Sequence, residues 1–154
     1  MDEEPNVDHV DYMRIALSEA ELAYAKDEVP IGACVVVDSE VVGRGFNHPI
    51  GGNDPTLHAE IVALRDASEH LGNYRLPNAS LYVTVEPCLM CVGAMIHARI
   101  DNLIYGVEEP KSGAVRSQVE AVDFPFHNHR ISVCSGILSD DCRNLMQRFF
   151  AKRR

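Results

Sequence analysis

The sequence predicts a layered α/β fold, on three observations: a helical apolar period near the start, short β-branched runs after it, and helix-start signals between those runs. The first helix opens at Asp8 and Asp11. Val10, Met13, Ala16, Leu17, Ala20 and Ala23 recur at helical spacing up to about Lys26, and Pro30 closes the segment. Two β-branched runs, 32–37 and 41–46, are joined by Asp38, Ser39 and Glu40 and read as a hairpin. The first run is apolar throughout, which places it inside a sheet.

A polar loop, 47–55, carries Pro49, Gly51, Gly52 and Pro55, and Thr56 is placed to cap a helix from about His58 to His70. Residues 80–85 form a third strand. Pro87 suits the first position of a helix ending near Ala98. Strands over 103–107 and 131–134 follow, separated by a long loop with Gly113 and Pro125, and loops of that length are often functional. Ser139, Asp140 and Asp141 open a last helix with acids at its positive end and Lys152, Arg153 and Arg154 at its negative end. The order is αββαβαββα.

The 154 residues suit one domain, 1–154, and a composition 46% hydrophobic and 24% charged suits a packed core. The acidic start lacks an apolar leader, and no run reaches the roughly 18 apolar residues of a membrane span, so the expectation is a cytoplasmic protein with no membrane partner. Net charge is -9, but unevenly spread. Residues 1–28 hold nine acids against Arg14 and Lys26, whereas 143–154 hold Arg143, Arg148, Lys152, Arg153 and Arg154 and no acid. That end is a local basic patch able to meet phosphates.

Five cysteines make an odd number, and of these Cys88 and Cys91 have a ligand spacing; metal explains them better than a disulfide framework. His58 at one helix start, with Cys88 and Cys91 at i and i+3 in another, offers three ligands to one ion and leaves a fourth tetrahedral position for water, as a catalytic zinc requires. Helix N-termini favour thiolates. Glu60, two residues beyond His58, needs no place among the ligands and can take the proton of activated water and pass it on. A structural zinc would instead need a fourth ligand, for which His127, His129 and Cys34 are the suppliers. Cys34, Cys134 and Cys142 read as small hydrophobes.

His58-Ala59-Glu60 with Pro87-Cys88-Leu89-Met90-Cys91 resembles the signature of zinc nucleobase deaminases. The flanks narrow the resemblance. EVPIGA (28–33), GFNHPIG (45–51), DPTLHAEI (54–61), NYRL (73–76), LYVTVEPCLMCVGAMIHARI (81–100), the turn 111–114, Asn128-His129 and the FF-basic ending together resemble bacterial tRNA adenosine deaminases, which convert a wobble adenosine to inosine.

That resemblance implies a cytidine deaminase-like three-layer α-β-α fold with a five-stranded mixed sheet, one zinc per subunit, and a homodimer whose sites are completed across the interface. It implies Asn47 hydrogen-bonding the adenine, with Ala59 and Pro87 also facing the substrate. It further implies a surface for the tRNA anticodon loop made by Glu109, Lys111, Phe149, Phe150, Lys152 and Arg153, where aromatic faces stack on splayed bases and cations meet phosphates. The family has Asp where this chain has Glu109. Adjacent helical residues point about 100° apart, so one of the two phenylalanines is expected to dock the last helix and the other to face RNA. Two other readings share the motif: a deaminase of a free base or nucleotide, and a zinc-stabilised interaction module in which Glu60 is only a helix-start acid.

Overall fold

A computed structural model describes residues 7–153, apart from the side chain of Val7; Asp2, Glu3, Glu4 and Arg154 of the charge count lie outside the described residues. The chain runs α1 (Val7–Ala25), β1 (Gly32–Val37), β2 (Glu40–Phe46), α2 (Ala59–Leu71), β3 (Ala79–Val85), α3 (Leu89–Ala98), β4 (Asn102–Val107), a 3₁₀ turn (Ala121–Asp123), β5 (Ser132–Ser135) and α4 (Ser139–Ala151). This is the predicted order.

The strands form one sheet in the order β2-β1-β3-β4-β5. β1 pairs antiparallel with β2 and β3, whereas β3–β4 and β4–β5 are parallel. The apolar β1 is therefore internal, as its composition predicts. Its hairpin to β2 is tighter than expected, because Asp38 and Ser39 both take positive φ (50° and 64°) and Glu40 already pairs with Val37. A two-residue turn of that kind matches the strand twist.

Alternation along β1 divides the core into two layers. Ala33 and Val35 join Ala63 of α2 and Met95 of α3 on one face; Cys34 and Val36 join Met13 and Ala16 of α1 and Cys142 of α4 on the other. The result is the three-layer α-β-α arrangement. α2 approaches β2 closely because Gly43 and Gly45 face the Ala59, Ala63 and Ala67 stripe. A Cβ on Gly45 would stand 2.5 Å from Ala63 N and 2.6 Å from Ala59 O, so any side chain there would lift α2 and the residues at its start.

Two expected helix starts are corrected. Thr56 does not cap α2: its N–H (2.9 Å) and hydroxyl (2.7 Å) both donate to Asp54 Oδ1, and His58 occupies the cap position. Pro87 likewise lies before α3, which Cys88 caps with an extended backbone (φ −79°, ψ 175°). Both shifts put a predicted ligand residue, His58 or Cys88, at a helix mouth. Among the described residues no helix is long and apolar enough to cross a membrane.

Candidate active site

The loop after β2 folds back so that His48 N–H donates to Leu57 O (3.0 Å), which sets His58 at the mouth of α2 beside the end of β2. Across the sheet, Pro87 turns the chain leaving β3 into α3 and delivers Cys88 and Cys91. Cys88 Sγ lies 3.5 Å and Cys91 Sγ 3.6 Å from His58 Nδ1. All three ligand atoms fall within 4.8 Å of one another. A tetrahedral zinc at about 2.0–2.1 Å from nitrogen and about 2.3 Å from sulfur sets N and S about 3.5–3.6 Å apart. Both nitrogen–sulfur edges match that ion.

Its protonation chemistry agrees. Neighbouring Cys91, with the help of His58 and against burial, pulls the Cys88 pKa down to about 4. Cys88 and burial in turn push Cys91 up, and the hydrogen bond to Cys88 draws His58 upward. Protons shared among three donors at hydrogen-bond distance are what a divalent cation displaces on binding.

Glu60 sits in the first turn of α2, 4% exposed. Burial pushes its pKa up to about 7, with Cys88 adding to the rise and its own backbone N–H, His58 and Cys91 opposing it. A carboxyl poised near neutrality both accepts and returns a proton efficiently. Asn47, buried at the end of β2, donates its N–H to Ile31 O (3.0 Å), and its carboxamide makes no hydrogen bond within the described chain. Ala59 and Pro87 are buried, so what they can offer a substrate is backbone.

The alternative fourth ligands are engaged elsewhere. His127 Nε2 lies 2.7 Å from Ala121 O and His129 Nε2 2.6 Å from Ile100 O, while Cys34 is fully buried on the α1 face of the sheet. Three ligands with an open position are the arrangement of a catalytic rather than a structural zinc.

The C-terminal residues come together only in part. A groove of about 960 Å³ between the β4–β5 loop and α4 is lined by Glu109, Lys111, Phe150 and Arg153, together with Arg143 and Met146. Phe149 does not face it. That ring is 4% exposed, edge-on to Tyr24 at 6.1 Å, with the Arg153 guanidinium 3.6 Å from its centre. Phe149 thus docks α4, and Phe150, 46% exposed, is the ring left for a ligand. Lys152 lies over the Tyr24 ring (4.9 Å), outside the groove lining, and Arg153 also reaches Asp27 Oδ1 (3.2 Å).

Sequence reasoning missed two buried glutamates. Glu28 accepts the N–H groups of Ile50 (3.3 Å) and Gly51 (2.7 Å), and Glu86 accepts a set of donors from the β4–β5 loop. The available signal was an acid one or two residues before a proline at a strand end, in Glu28-Val29-Pro30 before β1 and Glu86-Pro87 after β3.

A three-layer sheet whose helix mouths bring one histidine, two cysteines and a near-neutral buried glutamate together is the architecture of a hydrolytic deaminase. The family model described as MafB19-like deaminase matches residues 7–154. A tRNA-specific adenosine deaminase of Haemophilus influenzae is 46% identical over 143 residues, 92% of this chain and 83% of that protein. A solved structure from a study of A-to-I editing by tRNA:A34 deaminases at the wobble position of transfer RNA superposes with a TM-score of 0.85. It is 46% identical and spans 88% of this chain and 98% of its own. Guanine deaminase from Nitrosomonas europaea follows at a TM-score of 0.74 and 25% identity, over 92% of this chain and 84% of that one. The chain belongs to the MafB19-like deaminase family and, within it, groups with the tRNA-specific adenosine deaminases.

Proposed function

We propose that this chain, a single deaminase domain over 1–154, hydrolytically converts the wobble adenosine of a tRNA anticodon to inosine and releases ammonia. The observation that carries the reading is the His58–Cys88–Cys91 triangle, of tetrahedral dimensions, beside a buried Glu60. Those three residues would hold one zinc, which supplies the Lewis acidity that makes water nucleophilic at neutral pH.

Glu60 accepts one proton of the attacking water and delivers it to the adenine ring nitrogen next to the reacting carbon, then takes the second proton from the newly formed hydroxyl as the carbonyl forms and passes it to the departing amine, which leaves as ammonia. The Asn47 carboxamide, free of partners among the described residues, orients the ring by hydrogen bonds. In this reading Phe150 stacks on a neighbouring base, Lys111 meets phosphate and Glu109 lies on the rim, while Arg153 lines the same groove with its guanidinium held by the Phe149 ring and Asp27. An anticodon base is already unpaired, so drawing it into the pocket costs little.

Exposed Leu71, Tyr74, Leu89 and Met90 surround the outer surfaces of α2 and α3, where a groove of about 440 Å³ runs between Ile61, Leu64 and Ala94. This apolar surface supports a homodimer, and substrate and composition together support a cytoplasmic enzyme. The test incubates zinc-loaded protein with an anticodon stem-loop bearing a wobble adenosine, and separately with free adenine, guanine, cytosine and their nucleosides, while inosine and ammonia are assayed. Inosine from the RNA alone is the expected result. Ammonia from a free base alone would overturn the substrate and keep the chemistry.

A further inference from the structure

Glu86 is 4% exposed and takes no part in the metal triangle, yet it is saturated with donors. Its carboxylate accepts the N–H groups of Glu109 (3.1 Å), Val115 (3.0 Å), Arg116 (2.8 Å) and Ser117 (2.9 Å). The Ser117 hydroxyl donates to it as well. Gly113 lies against it: a Cβ there would collide with the Glu86 carboxyl and stand 2.6 Å from Glu109 O. All these donors belong to one loop. That loop carries Glu109 and Lys111, themselves joined by the Lys111 N–H to Glu109 Oε1 (2.9 Å), and it is tied to Pro87 O by Ala114 N–H (2.9 Å).

We propose that Glu86 is a positioning residue, which holds the 109–117 loop in the conformation that presents Glu109 and Lys111 to RNA and fixes that rim relative to the segment bearing Cys88. The inference rests on the RNA substrate proposed above. A carboxylate is required by the chemistry of the cluster: every partner is a donor, so both oxygens must accept. A glutamine keeps the shape but turns an NH₂ group toward N–H groups, which leaves buried donors unpaired.

The experiment compares zinc-loaded full-length protein with Glu86→Gln, measuring amide hydrogen exchange over 109–117 and over β3, zinc content, and KM and kcat on the stem-loop. Exchange over 109–117 is expected to quicken at least about tenfold while β3 is unchanged, because charged hydrogen bonds are lost from the loop alone. Zinc content stays at that of the unaltered protein, and KM rises more than kcat falls. Unchanged exchange overturns the clamp; faster exchange with unchanged KM overturns its role toward RNA; lost zinc makes Glu86 part of the metal support instead. Should Glu86→Gln fail to fold, Ser117→Ala removes one donor and is read by the same measurements with the same signs. If the unaltered protein does not act on the stem-loop, the substrate reading fails, while the exchange result still decides whether Glu86 clamps the loop.

Discussion

Glu60 and Glu86 are equally hidden, each 4% exposed, and each lies two residues from a proposed zinc ligand, yet their surroundings have driven them in opposite directions. At Glu60 burial outweighs the few donors available, its own backbone N–H and Cys91, and lifts its pKa to about 7. At Glu86 burial also pushes upward, but the N–H of Arg116, the hydroxyl and N–H of Ser117 and the N–H of Glu109 outweigh it, so its carboxyl stays below the ordinary carboxylate range. Burial alone therefore does not mark a catalytic acid; the supply of donors separates the group that must move a proton from the group that must hold a loop.

The largest expected effect is on the donor-poor side. Glu60→Gln should lower kcat by about 10²–10⁴-fold, since it removes general acid and base at once, with zinc content and melting temperature close to those of the unaltered protein. Unchanged turnover would break the comparison by making Glu60 an ordinary first-turn acid. Cys88→Ser bears on the ground the two acids share. Loss of a ligand should weaken zinc binding by more than about 100-fold, beyond the 10–100-fold typical of outer-shell changes, and titration against a chelator measures it.

The same question of what surrounds a side chain divides the adjacent phenylalanines. Phe149→Ala should cost about 3–5 kcal/mol of stability by opening a cavity where α4 meets Tyr24, read by denaturant unfolding. Phe150→Ala should leave unfolding nearly unchanged and weaken stem-loop binding by about 1–3 kcal/mol, the range for a lost base stack. A reversed pair of results would mean that the docked and presented rings are exchanged. Smallest, Glu28→Gln should cost about 1–2 kcal/mol, because two N–H groups depend on Glu28 rather than the larger set at Glu86. Hydrogen exchange at Ile50 and Gly51 checks it; no change there would confine the clamp principle to Glu86.

Local chemistry made most of the framework readable from the sequence. Apolar spacing located α1, β-branched runs located β1 and β3, and Ser139 with its following acids located the start of α4. The candidate metal cluster was readable because Cys88 and Cys91 are one helical turn apart and His58 opens a helix, features of short range, and the structure brings the three within 4.8 Å of one another. Thr56 was misassigned as a cap because a nearby acid competed for it: Asp54 is close enough in the chain to satisfy its N–H and hydroxyl first.

By itself, then, the sequence determined what neighbours in the chain decide: the element order, the internal place of the apolar β1, the residue types and spacing of the candidate metal site, and the presence of a glutamate beside them. Only the tertiary structure decided what residues far apart in the chain do to each other. β5 pairs parallel with β4 across the 108–131 connection, and β1 lies between β2 and β3. Phe149 turned inward because Tyr24, 125 positions earlier, offers it a ring. Glu86 became a clamp because a loop some thirty residues later brings its donors back to it. The physical reason is common to all of these: hydrogen-bond supply and burial at one residue are set by whichever segments the sheet order brings alongside it, and spacing within one segment carries no record of them.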